Sequence, residues 1–187
     1  MPCPLLPIKI VWGLDFYSTG LKTLFFIYIW NMKTMDVSAR VERAVGFFTS
    51  GYNCCQSVVM AFDDLTGLDI ETLARACTGF GGGMGRMREV CGTVSGMTFL
   101  AGFISPVTDP SNLEARKANY ALVQYFAGKF REKTGSIICR ELLGLPSKIK
   151  EGSAPAPRTQ EYYRKRPCVE LVALAAGIVA EYCQNNP

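Results

Sequence analysis

The sequence predicts an all-α protein, a compact bundle of five to seven helices interrupted by a glycine-rich loop. Three observations carry that prediction. Apolar residues recur at helical spacing along most of the chain beyond residue 35, no segment alternates with the two-residue period of a strand, and candidate caps and glycine stops separate the apolar runs. With 187 residues, of which 49% are hydrophobic and 19% charged, the chain is long enough to bury a core as one domain.

Asp36 and Ser38 are candidate caps for a first helix, in which Val41, Ala44, Val45 and Phe48 share one face until Ser50-Gly51 stops it. Asn53 is a candidate N-cap for a second helix over residues 54–65, with Val58, Val59 and Phe62 buried and Gly67 ending it. Residues 70–77 read as a short helix. The run Gly79-Phe80-Gly81-Gly82-Gly83-Met84-Gly85 then breaks regular structure, because five glycines in seven residues cannot sustain a helix interior. Helix resumes over residues 89–104, apolar nearly all round and hence central to the core, and stops before Pro106. Residues 112–133 form a long amphipathic helix with Tyr120, Val123, Phe126 and Phe130 on one face. Residues 137–143 form a short one closed by Gly144-Leu145-Pro146. Residues 147–166 read as a loop, and Pro167 suits the first turn of a last helix that runs to Tyr182.

Residues 1–34 do not follow this pattern. They are apolar and aromatic, with Pro2, Pro4 and Pro7 ahead of Leu24-Phe25-Phe26-Ile27-Tyr28-Ile29-Trp30. Lys9, Asp15 and Lys22 interrupt every window of the roughly 20 apolar residues that a membrane helix needs, which argues against membrane association. A basic segment before the apolar run and a small-residue cleavage site after it are both missing, so the run does not read as a secretory signal. The expectation is an apolar extension outside the functional chain, which starts near Met35, with residues 35–187 as a single helical domain.

Eight cysteines and no histidine narrow the chemistry. Without imidazole there is no Ser/His/Asp or Cys/His nucleophile pair, no histidine-containing zinc site and no histidine-ligated haem. The cysteines stand at 3, 54, 55, 77, 91, 139, 168 and 183. That spacing is unlike a secreted disulfide framework or paired CxxC knuckles, so a reducing, cytoplasmic setting is expected. Four of them fall at helix starts: Cys54 after the Asn53 cap, Cys91 in the first turn after the glycine loop, Cys139 opening the short helix, and Cys168 after Pro167. There the helix dipole and free N–H groups favour the thiolate, the form that ligates metals and attacks disulfides. These four are the candidate redox-active and metal-ligating residues, and Cys55, Cys77 and Cys183 read as core packing.

Gly81, Gly82, Gly83, Gly85 and Arg86 are candidates to surround a cofactor, offering N–H bonds to sulfur and, with Arg88, positive charge beside Cys91. The glycines also suit tight helix packing, and that reading stays open. No strand precedes the loop, so a nucleotide is not expected. The net charge of +4 is modest and partly local to Arg164, Lys165 and Arg166, which reads as a solvated loop, so no nucleic-acid partner is expected.

The pieces Gly51-Tyr52-Asn53-Cys54-Cys55-Gln56-Ser57, Phe80-Gly81-Gly82-Gly83-Met84-Gly85-Arg86, Cys91-Gly92-Thr93-Val94-Ser95-Gly96, Cys139 before Leu142-Leu143-Gly144, and Arg166-Pro167-Cys168 resemble the redox-active C_GCAxxG_C_C family. The resemblance covers about residues 38–183. It implies a small redox-active protein of anaerobic-type metabolism that works beside oxidoreductases or transporters. It also implies kinship with the C-terminal domain of split-Soret cytochrome c, whose cysteines are associated with an iron–sulfur cluster. The four family cysteines correspond here to Cys54, Cys91, Cys139 and Cys168. Cys55 stands where a small alanine is usual, which leaves open which of two adjacent sulfurs ligates, and Thr93 also replaces an alanine. No CxxCH occurs, so no haem is expected.

The expected function is electron transfer through an iron–sulfur centre held by the four cysteines, with an oxidoreductase or electron carrier as partner. The alternatives are a metal-free thiol–disulfide protein and a non-catalytic domain with a structural four-cysteine zinc site. Whether the chain is an enzyme, and whether it forms a homodimer, stay open at this point.

Overall fold

The computed structural model describes residues 36–146 and 151–186; the apolar extension expected over residues 1–34 lies outside them. Helix α1, Val37–Thr49, starts where the Asp36 carboxylate accepts the Ala39 N–H at 3.1 Å, and it buries Ala44 and Phe48. Gly51, at φ +103°, turns the chain into α2, Cys54–Met60. The start of α2 is fixed by a capping box, with Asn53 accepting the Gln56 N–H and the Gln56 side chain accepting the Asn53 N–H.

The second helix is shorter than its apolar pattern predicts. Arg40 donates to the Ala61 carbonyl oxygen at 2.6 Å, and Phe62 leaves helical geometry at φ −125° and ψ 36°. Helix resumes as α3, Asp63–Thr66, whose two aspartates pair with Arg43 and Arg40 before Gly67 closes it in the left-handed region. The single helix expected over residues 54–65 is thus broken at Ala61 and Phe62, where arginines of α1 hold the Ala61 carbonyl and the two aspartates of α3.

Helix α4, Ile70–Cys77, is capped by Asp69, which accepts from the Thr72 N–H at 2.9 Å. A 3-10 turn at Thr78–Phe80 leads into the glycine loop, where Gly82 and Gly83 take φ of 67° and 72°. Helix α5 is Gly92–Ile104. The expected start at residue 89 is corrected, because residues 89–91 are extended and form an isolated antiparallel bridge, Val90 opposite Ile138. Cys91 donates its N–H to the Ile137 carbonyl at 2.8 Å, and Cys139 donates to the Glu89 carbonyl at 2.7 Å.

Helix α6, Leu113–Thr134, buries Leu122, Phe126 and Phe130. Tyr120 is 59% exposed, so its expected place on the buried face is corrected. The inner register is set instead by Asn119, whose amide donates to the Ala101 and Ser105 carbonyls at 3.0 and 2.8 Å. Helix α7 is Cys139–Leu142. The stretch expected to be loop contains α8, Gln160–Arg164, capped by Thr159. Helix α9, Cys168–Asn185, outlasts its expected end at Tyr182.

Helix α5 occupies the centre, packed between α2, α6 and α9, while α9 lies along α1. Its buried residues Thr93, Val94, Met97, Leu100, Ala101 and Ile104 agree with its nearly all-round apolar character. Among the described residues there is no strand and no helix long and apolar enough to cross a membrane.

Candidate redox site at four helix starts

Four loops feed four helices at one end of the bundle, and each presents a cysteine there. Cys54 is the first residue of α2, Cys91 immediately precedes α5, Cys139 opens α7 and Cys168 opens α9. All four line one cavity of about 40 Å³. The bridge between residues 89–91 and 137–139 sets Cys91 beside Cys139. Gly92 lets the start of α5 reach Cys54, since a β-carbon there would stand 2.4 Å from Cys54 Sγ. Gly83, in the left-handed region, lies against Cys139, where a β-carbon would meet Cys139 Cβ at 2.7 Å.

All seven described cysteines are free thiols. Helix starts favour thiolates, but burial prevails here. It pushes Cys91 and Cys168 up from 9.0 to about 12, and it also raises Cys139. The expectation that all four sulfurs are biased toward the thiolate is therefore corrected for these three. The opposing contributions come from individual side chains. Thr93 Oγ1 lies 3.2 Å from Cys91 Sγ, and Arg88 Nη1 lies 3.8 Å from Cys139 Sγ.

The charged side chains of the cavity wall are cationic, set among apolar and neutral ones. Arg88, Arg158 and Arg166 line the cavity, and no carboxylate does among the described residues. Arg88 is 3% exposed and donates through Nη2 to Glu151. Arg158 packs between aromatic rings, its guanidinium carbon 4.8 Å from the Phe48 ring centre and 4.7 Å from that of Tyr162. Arg166 also lies over Tyr162, at 4.6 Å, so this residue belongs to the site and not to a solvated loop. Burial raises the Tyr162 phenol.

Of the loop residues expected around a cofactor, Gly82 lines the cavity, while Gly81, Gly83, Gly85 and Arg86 do not. Gly81 packs on the Asn53 side chain, where a β-carbon would stand 2.7 Å from Asn53 Cβ. Gly85 donates its N–H to the Gly79 carbonyl at 2.8 Å, and the N–H groups of Arg86, Arg88 and Glu89 go to Gly81, Gly82 and Gly83 carbonyls. The loop therefore spends these donors on itself and not on a sulfur nest. Arg86 turns outward to Glu151, at 2.7 Å, and to the Gly152 carbonyl, at 2.9 Å. Arg88, two residues on, takes the place beside a sulfur. Sequence reasoning missed Arg158 and Tyr162, which arrive from a segment with no local motif. Arg166, two residues before Cys168, had a signal in that proximity.

Cys55, Cys77 and Cys183 lie in the core, with Cys55 and Cys77 fully buried. The Cys55 thiol is held well above its ordinary range by its hydrogen bond with Cys77 and by burial. Cys54, not Cys55, faces the cavity.

Among the described residues, no three or more His, Cys, Asp or Glu side chains are already set to hold a metal ion. The four cysteines nonetheless line one cavity. Among the described lining residues the side chains suited to a soft metal centre are four thiols, with no imidazole or carboxylate beside them.

A family model described as "Putative redox-active protein (C_GCAxxG_C_C)" matches residues 52–182, a span that contains all four cavity cysteines. No curated protein and no solved structure matches.

Proposed function

This chain belongs to the redox-active C_GCAxxG_C_C family, and we propose that it transfers electrons through an iron–sulfur centre held by Cys54, Cys91, Cys139 and Cys168. The observation that carries the reading is the meeting of four thiols from four separate helix starts at one cavity. An all-sulfur donor set suits iron–sulfur ligation, and the positive wall suits the net negative charge of such a centre. Bound there, the centre supplies one-electron transfer.

The chain's own residues prepare the site for this. Ligation requires the thiols of Cys91, Cys139 and Cys168 to lose their protons, which desolvation opposes. Thr93 and Arg88 offset part of that opposition at Cys91 and Cys139. Phe48, Leu142 and Leu171 give part of the cavity wall an apolar surface. The glycine loop lies over the same region, with Gly82 on the cavity and Gly83 on Cys139. The partner in this reading is an oxidoreductase or electron carrier within a reducing compartment.

Purification without oxygen, with iron, sulfide and zinc measured per chain, tests the reading. Stoichiometric iron and sulfide with visible absorbance support it. A colourless metal-free protein would assign the cysteines to thiol–disulfide exchange, and a colourless zinc protein would assign them to a structural site.

A further inference from the structure

Two buried side-chain N–H groups in the described structure have no acceptor: Arg88 Nε and Arg158 Nη1. Both arginines line the four-cysteine cavity. Each is anchored by its other atoms. Arg88 is tied to Glu151 and to Cys139 Sγ, and Arg158 donates through Nη2 to the Tyr52 carbonyl at 3.4 Å while it stacks on Phe48 and Tyr162. Leaving a buried donor of a charged group unsatisfied costs free energy, so an anchored arginine with a spare N–H beside four thiols calls for an acceptor.

We propose that Arg88 and Arg158 are positioning residues that donate to the sulfur atoms of the bound centre and raise its reduction potential. The inference rests on the iron–sulfur reading above and adds residues that no ligand pattern assigns. Three features of the geometry carry it. The spare donors belong to two different segments, so they are not one local accident of packing. The described residues lining the cavity include Arg88, Arg158 and Arg166 and no carboxylate, and Glu151, outside the lining, pairs with Arg88 alone of these three, so the wall accommodates added negative charge. The segment that supplies Arg158 is the one that supplies Glu151, whose ion pairs with Arg86 and Arg88 fix its start against the glycine loop.

The redox consequence follows from charge. Reduction adds one electron to a centre already carrying the negative charge of its thiolates. Fixed cations and N–H donors stabilise the reduced state more than the oxidised one, so removing either arginine makes the centre harder to reduce.

The test uses the full-length chain purified without oxygen, its midpoint potential read by spectroscopic redox titration. Arg88→Met and Arg158→Met are expected to shift the potential to more negative values with iron per chain unchanged. The lysine variants at both positions should fall between, because they keep the charge and lose the planar fork. Arg131→Met, on the exposed end of α6, is expected to leave the potential unchanged. Iron-loaded Arg88→Met and Arg158→Met proteins with the wild-type potential would overturn the proposal and leave the iron–sulfur reading intact. If Arg88→Met fails to load or fold, Arg158→Met decides by the same reading. A wild-type chain without iron would overturn both proposals, and it would do so at metal analysis, before any titration.

Discussion

Cys54 rests directly on Gly92: a β-carbon at Gly92 would stand 2.4 Å from Cys54 Sγ and 2.8 Å from the Phe80 carbonyl oxygen. One turn further along α5, a β-carbon at Gly96 would meet Val58 Cβ at 3.1 Å. The two glycines let α5 approach α2 closely, and Gly92 does so at the site itself. Gly92→Ala should therefore displace Cys54, lower iron per chain, and destabilise the protein by about 1–3 kcal/mol through overpacking. Gly96→Ala should cost stability without loss of iron. Denaturant titration together with metal analysis of both variants separates the two effects.

The adjacent pair Cys54 and Cys55 divides between site and core. Cys54→Ala should lose the centre. Cys55→Ala should keep it, at a cost of roughly 1–2 kcal/mol for a fully buried side chain that loses its contact with Cys77. Visible absorbance of the two anaerobic preparations gives the answer, and the reverse result would reassign the ligand.

Much of this arrangement is legible in the sequence because it is local. Asn53 before Cys54, the break before Cys91 and Pro167 before Cys168 are each visible within a few residues, so four helix starts can be placed without knowing how they meet. What is not legible arises from distant partners. The break at Ala61 depends on Arg40, 21 positions earlier. The extended start at residues 89–91 depends on Ile137 and Ile138. Arg86 and Arg88 look equivalent in sequence, yet their common partner Glu151 leaves only Arg88 beside a sulfur. The thiol energetics reverse for the same reason: dipole effects are read from one helix, whereas burial comes from the whole bundle.

Asn53 serves the cap and the loop together. Its side-chain oxygen accepts the N–H groups of Cys55 and Gln56 at 3.0 Å, and its amide donates to the Thr78 carbonyl at 3.0 Å. Asn53→Ala should cost about 0.5–2 kcal/mol for the lost cap. Gly81 packs on the same side chain, so the loop should loosen as well. Hydrogen exchange should show faster exchange at Gly85 and Arg86 in this variant, and unchanged exchange there would confine the role of Asn53 to α2.

The metal-free chain should weaken at alkaline pH. Burial raises Cys91 and Cys168 from 9.0 to about 12. A thiol with a raised folded pKa favours the folded state while protonated, so the contribution is complete below about pH 9 and is lost as pH rises toward 12. Thermal denaturation of apoprotein between pH 7 and pH 11 should show a falling Tm above about pH 9. The double variant Cys91→Ala, Cys168→Ala should show a shallower fall, and an identical fall would place the titrating groups elsewhere.

The most direct test of the shared centre is iron and acid-labile sulfide per chain in anaerobically purified wild-type protein and in four single variants: Cys54→Ala, Cys91→Ala, Cys139→Ala and Cys168→Ala. The account predicts a coloured wild-type protein with stoichiometric iron and sulfide, and loss of visible absorbance in each variant. A folded wild-type protein that holds neither, or variants that keep full absorbance at two or more of the four positions, would contradict it.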